Sequence, residues 1–589
     1  MNMEAIKVVI IGAGISGLAC ASRLEQHGFK NITILEARSR IGGRIHTQYF
    51  DNKAIEMGAQ YIHGQINNPV YKFAEKLSLF QTLKWSEYYD VSGHHLFNLP
   101  EKFQKGVQEV CQLISDLEAD ISDIYSKFNL LHTKYSNKSC GSIFLENFNR
   151  HLAKETDPEE IQMKKAVFDW HLRYAIESNA SDPMTTISAL YYGKYEEFKG
   201  IPYTEIQDGY HNILKEIKRQ ILFSNFKLNC KVTKINWYDS VVNVETAECE
   251  NYDADHVIVT VPLGVLKANH SELFHPNLPK EKINAIEQLG FGTVNKIYLK
   301  FDSPFWKDSD IRKNNHDDEI CYNIIWMDGL NYQGRCHHDG YLDTINSEEL
   351  EKLWFRYIVR FSSVLGVDDL LCVWIVGEGA QYCEQLSDCV IVEKCHDILS
   401  MHLKKSDIPL PKLIFKSQWY SDPFCKGSYS FVTSLCDSDC TTHDNYLANP
   451  YPKICFAGEA THDNMFSTTH GALLSGYREA DRIYDLYNGW LIKGSVGAHW
   501  KRDTDRSPVF SGGLIRGSVG AYWERDTDRS PVFSGGLIRS SVGAQWHPKK
   551  PKRIRFWWNF EGAISDKAVN KQFLQLFVLR KNKLFKNIV

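Results

Sequence analysis

The chain has 589 residues, of which 43% are hydrophobic and 24% charged, and this composition is typical of a globular protein with at least two cores. Its apolar runs are shorter than the roughly 18 residues that a membrane-spanning helix needs, so the sequence predicts neither a membrane anchor nor a secretory leader. The 15 cysteines are scattered without paired CxxC spacing, which favours reduced thiols in an intracellular protein and no bound metal.

Charge separates an acidic body from a basic tail. Residues 490–589 contain 19 Lys and Arg against 7 Asp and Glu, a net charge of +12, so the preceding residues carry −16. An acidic surface attracts cations and repels polyanions, which argues against nucleic acid as a partner of the body.

The amino-terminal residues predict a βαβ unit that binds a dinucleotide. The strand VVII is followed by Gly12, Gly14 and Gly17, then by a helix to about Gln26 and a second strand that ends at Glu36. Glycine at these positions allows a tight turn, close approach of a pyrophosphate and close helix packing, and the acid can accept ribose hydroxyls. The complete spacing is far more specific than the glycines alone.

A second glycine turn follows the acid at once, in RSRIGGR. Gly42 and Gly43 can offer backbone amides, and Arg44 a guanidinium, to the same pyrophosphate from its other side. Contacts from both sides of the pyrophosphate suit a cofactor that stays permanently bound, which favours FAD over NAD. Gly458 and Glu459 are expected to help hold the rest of the cofactor.

The order of the segments predicts an α/β fold assembled from separated pieces. A second strand-rich stretch covers residues 226–266, a third block runs from Lys453 to Tyr487, and the segments between them are helical or mixed. We predict two domains threaded through each other. The predicted boundaries are 1–75, 207–280 and 420–488 for an FAD-binding domain, 76–206 and 281–419 for a substrate-binding domain, and 489–589 for a tail.

The tail contains a repeat with a period of 23 residues. GSVGAHWKRDTDRSPVFSGGLIR begins at Gly494, returns almost unchanged at Gly517 and starts again at Ser540. Solenoids need about three or more repeats, so these near-identical copies favour a recent duplication in a flexible or poorly ordered tail. The basic cluster from Lys549 is either a solvated charge run or a nuclear import signal.

Six motifs, in order between Lys7 and Tyr487, carry a family resemblance. They are IGAGISGLACASRL with ILEARSRIGGRI, EMGAQYIHG, VIVTVPLGVLK, GFGTVNKIYLKF, SDPFCKGSYSF and FAGEATHDNMFSTTHGALLSGYREADRI. Together they resemble the flavin-containing amine oxidases and, within them, the animal polyamine oxidase branch. The resemblance implies a Rossmann-type FAD-binding domain of the p-hydroxybenzoate hydroxylase type, interleaved with a mixed-sheet substrate domain.

The resemblance also implies roles for individual residues, with core packing or solvation as the alternative for several of them. Lys296 matches a lysine that holds a water beside flavin N5, His63 a residue that lines the amine site, and Tyr429 an aromatic residue beside the substrate. Glu177 is expected to hold a distal ammonium group, and Thr468 to contact the substrate. The expected cofactor-binding residues are Gly12, Gly14, Gly17, Glu36, Arg38, Gly43, Arg44, Val232, Trp419, Gly458, Glu459 and Thr469.

The chain departs from the pattern of related oxidases at two places. The monoamine oxidase branch attaches FAD through a cysteine directly before the aromatic residue that matches Tyr429, whereas this chain has Ser428 there and Cys425 three positions too early. Non-covalent FAD is therefore expected. The usual tryptophan of the WIHG motif is Tyr61 here, so the pocket wall is open to change.

The implied reaction is oxidation of spermine or an N1-acetylated polyamine by hydride transfer to flavin N5. Imine hydrolysis then gives an aldehyde and a shorter amine, and dioxygen reoxidises the flavin with release of hydrogen peroxide. The alternatives are a histone lysine demethylase-like oxidase and a catalytically inactive flavin-binding protein. We expect a monomer without a membrane partner, located in the cytoplasm or, through the basic tail, in the nucleus; the final residues Asn587–Val589 do not form a peroxisomal address.

Overall fold

The computed structural model describes most of the acidic body and four short strands of the tail. Residues Asn2–Tyr484 form one compact unit, and Asp485–Val589 belong to a second. The described residues are 2–79, 99–127, 134–181, 183–238, 240–307, 320–328, 347–438, 446–488, 509–510, 532–533, 540–545 and 555–560.

The strands are β1 (Lys7–Ile11), β2 (Asn31–Leu35), β3 (Thr47–Phe50), β4 (Lys53–Glu56), β5 (Tyr61–Ile62), β6 (Thr204–Glu205), β7 (Asn225–Lys227), β8 (Val232–Asn236), β9 (Val242–Thr246), β10 (Asn251–Ala254), β11 (His256–Val259), β12 (Phe274–His275), β13 (Gly290–Gly292), β14 (Val294–Lys300), β15 (Cys321–Asn323), β16 (Ile358–Val364), β17 (Val367–Val376), β18 (Leu413–Lys416), β19 (Tyr429–Phe431), β20 (Ile454–Phe456), β21 (Val509–Phe510), β22 (Val532–Phe533), β23 (Ser540–Gln545) and β24 (Arg555–Phe560). The α-helices are α1 (Ile15–Gln26), α2 (Pro69–Lys76), α3 (Gln104–Ser126), α4 (Cys140–Leu152), α5 (Pro158–Asn179), α6 (His211–Arg219), α7 (Leu263–Leu273), α8 (Lys280–Gln288), α9 (Ser347–Leu353), α10 (Gly377–Cys383), α11 (Asp388–Leu403) and α12 (Thr469–Asn488).

Five strands form a parallel sheet in the order β20-β11-β1-β2-β7. Strand β1 lies at its centre, where Val8 is opposite both Ile32 and His256. Residues 8–11 are all buried, as expected for a central strand of a parallel sheet. Helix α1 joins β1 to β2, and Glu36 follows β2 directly, so the predicted βαβ unit is confirmed.

The strand-rich segment 226–266 is divided between two sheets. Strands β7 and β11 belong to the parallel sheet, whereas β8, β9 and β10 form a separate sheet in the order β10-β9-β8-β12. The sequence did not predict this division, because strand propensity is local whereas the choice of pairing partner depends on distant residues.

A second five-stranded sheet has the order β15-β16-β17-β14-β18, and its described strands are antiparallel throughout. Lys296 of β14 and Arg360 of β16 both lie opposite Trp374 of β17. Directly opposite residues project from the same face of a sheet, so this pairing places two cations on either side of one indole.

Helix α5 is positioned by its two ends. It begins after Asp157, whose carboxylate accepts a hydrogen bond from an amide of the first turn, and Pro158 occupies the first helical position. It ends at Asn179 and is capped by Ala180, where φ is 50°, and a Cβ on Gly292 would lie 1.5 Å from the Ala180 carbonyl oxygen. This close approach sets the last turn of α5, which contains Glu177, against β13.

The second unit is described as two separate strand pairs. Strands β21 and β22 pair in parallel with Val509 opposite Val532, which are equivalent positions in the two copies of the repeat. Strand β23 pairs antiparallel with β24. The predicted flexibility of the tail and the basic cluster from Lys549 concern residues that lie almost entirely outside the described ones.

Each of the two five-stranded sheets contributes to its own hydrophobic core. The division of the body into two interleaved domains, with the boundaries given above, stays a prediction. Among the described residues, no helix combines the length and the apolar character needed to cross a membrane.

Candidate active site

The two predicted glycine turns lie side by side. Gly12 follows β1 with a φ of +107°, and a Cβ there would lie 2.5 Å from Thr260 Oγ1. The Gly42 amide donates a hydrogen bond of 2.8 Å to the Ala13 carbonyl, and Gly14 and Gly42 form a parallel bridge. The RSRIGGR turn therefore packs directly on the first turn, as is required if both turns are to contact the same pyrophosphate.

Gly17 and Glu36 flank these turns. A Cβ on Gly17 would lie 2.0 Å from the Gly12 carbonyl oxygen, so glycine allows α1 to pack closely on β1. The buried Glu36 carboxylate accepts hydrogen bonds from the Ala13 amide (2.7 Å) and the Arg38 amide (2.9 Å). A carboxylate has about four acceptor positions, so two are left for the hydroxyls of a ribose.

A cavity of about 660 Å³ connects the glycine turns with the antiparallel sheet. Its volume is within the usual range of small-molecule sites, about 300–1,000 Å³. We call the two glycine turns, residues 12–17 and 42–43, the dinucleotide cradle. Together with the buried Glu36 and the volume of the cavity, this cradle fits FAD. Of the predicted site residues, all but Gly17 line the cavity: Gly12, Gly14, Glu36, Arg38, Gly43, Arg44, His63, Glu177, Val232, Lys296, Trp419, Tyr429, Gly458, Glu459, Thr468 and Thr469.

Arg44 and Glu459 form an ion pair in the cavity wall. Arg44 Nη1 donates to Glu459 Oε1 and to the Ser428 carbonyl, each at 2.8 Å. Glu459 Oε2 accepts from the Ser430 hydroxyl (2.6 Å) and the Ser467 amide (2.8 Å). The protein itself therefore engages both oxygens of Glu459, and this fixes the direction of the Arg44 guanidinium.

Cys425 is buried beside Arg38 and does not line the cavity. Arg38 Nη2 donates to Asp422 Oδ1 (2.7 Å) and contacts Cys425 Sγ (3.2 Å). At the position directly before β19, the Ser428 hydroxyl exchanges two hydrogen bonds of 2.9 Å with the backbone of Val294. This arrangement supports non-covalent FAD, which stays a prediction.

Lys296 is 4% exposed and belongs to a part of the cavity that we call the Lys296 wall, formed by Tyr61, His63, Glu177, Lys296, Arg360, Trp374 and Tyr429. Its Nζ donates to the carbonyls of Glu56 and Gly58, each at 2.9 Å, and to Gln60 Oε1 at 2.6 Å. Burial lowers the pKa of Lys296. The three acceptors match the three N–H groups of an ammonium, so a water beside Nζ has to replace one acceptor or be held by the deprotonated amine.

Three residues behind the Lys296 wall were not predicted as site residues: Glu56, Gln60 and Glu205. Gln60 Nε2 donates to Glu205 Oε1 at 2.6 Å, so Gln60 links Lys296 to a carboxylate. Burial raises the pKa of Glu56 to about 7 and raises that of Glu205 above its usual value. The motif EMGAQYIHG contains Glu56 and Gln60, but its spacing does not indicate which of their atoms face a lysine 240 residues away in sequence.

Aromatic side chains cover much of the Lys296 wall. The ring of Tyr61 stacks on that of Trp374, with centroids 6.3 Å apart and an interplanar angle of 13°. Tyr61 therefore supplies a flat wall at this position. The ring of His63 packs edge-on against Tyr203 at 5.2 Å, and its Nδ1 lies 3.7 Å from Glu197 Oε1.

Glu177 is not a free carboxylate in this wall. It is 7% exposed, and its Oε1 accepts a hydrogen bond from Arg360 Nη2. The Tyr429 hydroxyl donates to the Glu177 backbone carbonyl, and burial raises the pKa of Tyr429. The structure thus brings the predicted ammonium-binding acid next to Tyr429, together with an arginine that the sequence did not indicate.

The remaining predicted residues lie in the cavity wall with their polar atoms already hydrogen-bonded. Trp419 Nε1 donates to the Met57 carbonyl at 3.1 Å. The Thr468 hydroxyl accepts from the Gly471 amide at 2.9 Å, as a cap at the start of α12. The Thr469 hydroxyl is paired with a buried tyrosine hydroxyl. A substrate contact of Thr468 and the cofactor contacts of the other two stay predictions.

A dinucleotide cradle that shares one cavity with a buried lysine and aromatic walls defines the class of flavin-dependent oxidoreductases. The sequence profile of the family described as flavin containing amine oxidoreductase matches residues 15–484. The chain belongs to this family and is an FAD-dependent amine oxidase.

Several relatives align over 82% of the chain. Peroxisomal N(1)-acetyl-spermine/spermidine oxidase of Bos taurus is 30% identical over 95% of its own length, and probable polyamine oxidase 5 of Arabidopsis thaliana is 28% identical over 98%. Lysine-specific histone demethylase 2 of Homo sapiens is 28% identical over 81% of this chain, but only 53% of its own length is covered. The structure of a putrescine oxidase bound to putrescine superposes with a TM-score of 0.57 at 19% identity, over 81% of this chain and 98% of that one, and confirms the fold.

Proposed function

We propose that the chain oxidises polyamines and uses dioxygen as the final electron acceptor. The observation that carries this proposal is the single cavity in which the FAD cradle meets the Lys296 wall. The relatives named as oxidases of acetylated polyamines and as polyamine oxidases support it. When bound, FAD supplies the acceptor for two electrons from the carbon beside the amine nitrogen and passes them to dioxygen, which gives hydrogen peroxide.

In this proposal the Lys296 wall positions the amine and controls protons. The aromatic rings of Tyr61, Trp374 and Tyr429 exclude water from the reacting carbon. Lys296 is held by three acceptors, and its lowered pKa lets it exchange a proton with a bound water. His63 offers a ring nitrogen to the amine at the partly exposed side of the wall.

The reacting nitrogen has to be uncharged when the adjacent carbon is oxidised. A free aliphatic amine is mostly protonated at neutral pH, so we expect the rate of oxidation to rise towards alkaline pH. Burial makes this deprotonation easier, since it disfavours the ammonium form of any amine inside the cavity.

We also propose a monomer that acts in the cytoplasm, with the nucleus as the alternative location through the basic tail. Two of the relatives are named as peroxisomal, so expression of the tagged chain with compartment markers is the measurement that separates these locations.

The experiment that tests the proposed function is reduction of the bound flavin under nitrogen, followed by peroxide release in air. The amines are spermine, N1-acetylspermine, benzylamine and leucine. We expect the two polyamines alone to bleach the flavin absorbance and to release peroxide. Bleaching by leucine or benzylamine alone would contradict the polyamine proposal, and a flavin that none of them reduces would indicate an inactive protein.

A further inference from the structure

Arg360 places a permanent positive charge in the Lys296 wall. It lies on β16, is 6% exposed and lines the same cavity as Lys296. The indole of Trp374 separates the two cations, with its centroid 4.7 Å from Lys296 Nζ and 4.9 Å from Arg360 Cζ. Burial can deprotonate a lysine, but an arginine in a protein keeps its charge, so Arg360 remains a cation in every catalytic state.

Arg360 faces Glu177, whose two carboxylate oxygens differ in their hydrogen bonding. Oε1 accepts from Arg360, whereas Oε2 is buried and has no hydrogen-bond partner among the described residues. The backbone of Glu177 is held by Tyr429, the predicted neighbour of the reacting amine. The charge of the carboxylate is therefore balanced by Arg360, although one acceptor position is left for a ligand.

Because Arg360 already balances the charge of Glu177, the site favours an uncharged hydrogen-bond donor over a charged one. The N–H of an acylated amine can donate to Glu177 Oε2 without disturbing the ion pair and without adding charge to a buried wall. A second ammonium would gain the same hydrogen bond, but it would be desolvated beside the like charge of Arg360. Two buried like charges repel each other strongly at the short distance between Arg360 and an ammonium bound at Glu177. The energetic penalty therefore falls only on the amine that carries this second ammonium.

We propose that Arg360 is a specificity-determining residue that makes the cavity select amines with a neutral acylamide group over amines with a free ammonium at the Glu177 position. This inference rests on the proposed function and names its substrate class: N-acylated polyamines. Without Arg360, the same Glu177 carboxylate would favour the free polyamine.

The test compares kcat/KM for N1-acetylspermine with kcat/KM for spermine in the purified holoenzyme. We expect wild-type protein to favour the acetylated substrate, and Arg360→Gln to shift the ratio towards spermine by at least about tenfold. The double variant Arg360→Gln/Glu177→Gln should lose this shift, because no unpaired carboxylate is left. Arg356→Gln is the matched control: this arginine is paired with Asp328, does not line the cavity and should leave the ratio unchanged.

A second variant covers the case in which Arg360→Gln does not retain FAD. Glu177→Gln keeps the arginine and removes its counter-charge, so it should lower kcat/KM for spermine by at least about tenfold more than for N1-acetylspermine. A wild-type preference for spermine overturns the role of Arg360, and so does a ratio within about twofold of wild type in the single variants Arg360→Gln and Glu177→Gln that bind FAD. If neither amine reduces the wild-type flavin, the proposed function itself fails, and this outcome is distinct because no ratio can then be measured.

Discussion

The dinucleotide cradle is built from backbone, whereas the Lys296 wall is built from side chains that several strands and helix α5 bring together. In the cradle, Gly12, Gly14 and Gly42 lie in two short turns that are joined by a backbone hydrogen bond and a parallel bridge. In the wall, Lys296 and Arg360 come from segments more than 60 residues apart and meet only across Trp374. The cofactor site therefore depends on local conformation, while the proposed amine site depends on sheet register.

The largest effect is expected on the rate of flavin reduction when Lys296 of the Lys296 wall is replaced. Lys296→Met removes the proton-exchanging group but keeps a long side chain under Trp374, so FAD binding should persist. We expect the rate of flavin reduction by a polyamine under nitrogen to fall by about 10²- to 10⁴-fold. Lys300→Met is the control on the same strand: Lys300 pairs with Asp369, does not line the cavity and should leave the rate unchanged. An unchanged rate in Lys296→Met would remove Lys296 from the mechanism.

The next effect tests the acid behind the wall. The pKa of Glu56 is raised from 4.5 to about 7, so the folded state keeps a proton that the unfolded state loses. Stability from this group is therefore present below pH 4.5 and is lost as the pH rises towards 7. We expect wild type to lose roughly 1–3 kcal/mol over this range relative to Glu56→Gln, measured by denaturant unfolding. Glu248→Gln on the surface should behave as wild type.

A substitution in the cradle should change stability by as much as the Glu56 effect or by less. Gly17→Ala places a methyl group 2.0 Å from the Gly12 carbonyl oxygen, and the resulting shift of α1 should cost about 1–3 kcal/mol. It should also weaken FAD binding, measured by loss of flavin on dilution. Gly366→Ala, at a glycine with no atom near its Cβ, is the control: it should lower stability slightly because φ is +71°, but it should leave FAD bound. Equal FAD retention in both variants would argue against the role of the cradle.

The smallest expected effect concerns the flavin linkage. Acid denaturation of wild type should release all of the flavin into the filtrate, because Ser428 replaces the linking cysteine. Cys425→Ser should give the same result, with at most a modest change in stability from the lost contact with Arg38. Flavin that remains on the denatured wild-type chain but leaves the Cys425→Ser chain would show a covalent bond at Cys425.

Much of the cradle could be predicted because its determinants are adjacent in sequence. The residues VVII, the three glycines and Glu36 form β1, the first turn, α1 and β2 with boundaries within one residue of those predicted. By contrast, segment 226–266 was predicted as one strand-rich block, yet it supplies two different sheets. Strand propensity did not distinguish them, since which strands pair is decided by long-range contacts.

The sequence by itself indicated FAD, the amine oxidase family and, through the resemblance, a shared site for Lys296, His63 and Tyr429, and all three line the cavity. Only the tertiary structure decided that Lys296 has three protein acceptors and that Glu177 is paired with Arg360. The physical reason is that a glycine turn is specified by the dihedral angles of a few consecutive residues. The electrostatic state of a buried acid is specified by whichever charge the sheet register places beside it.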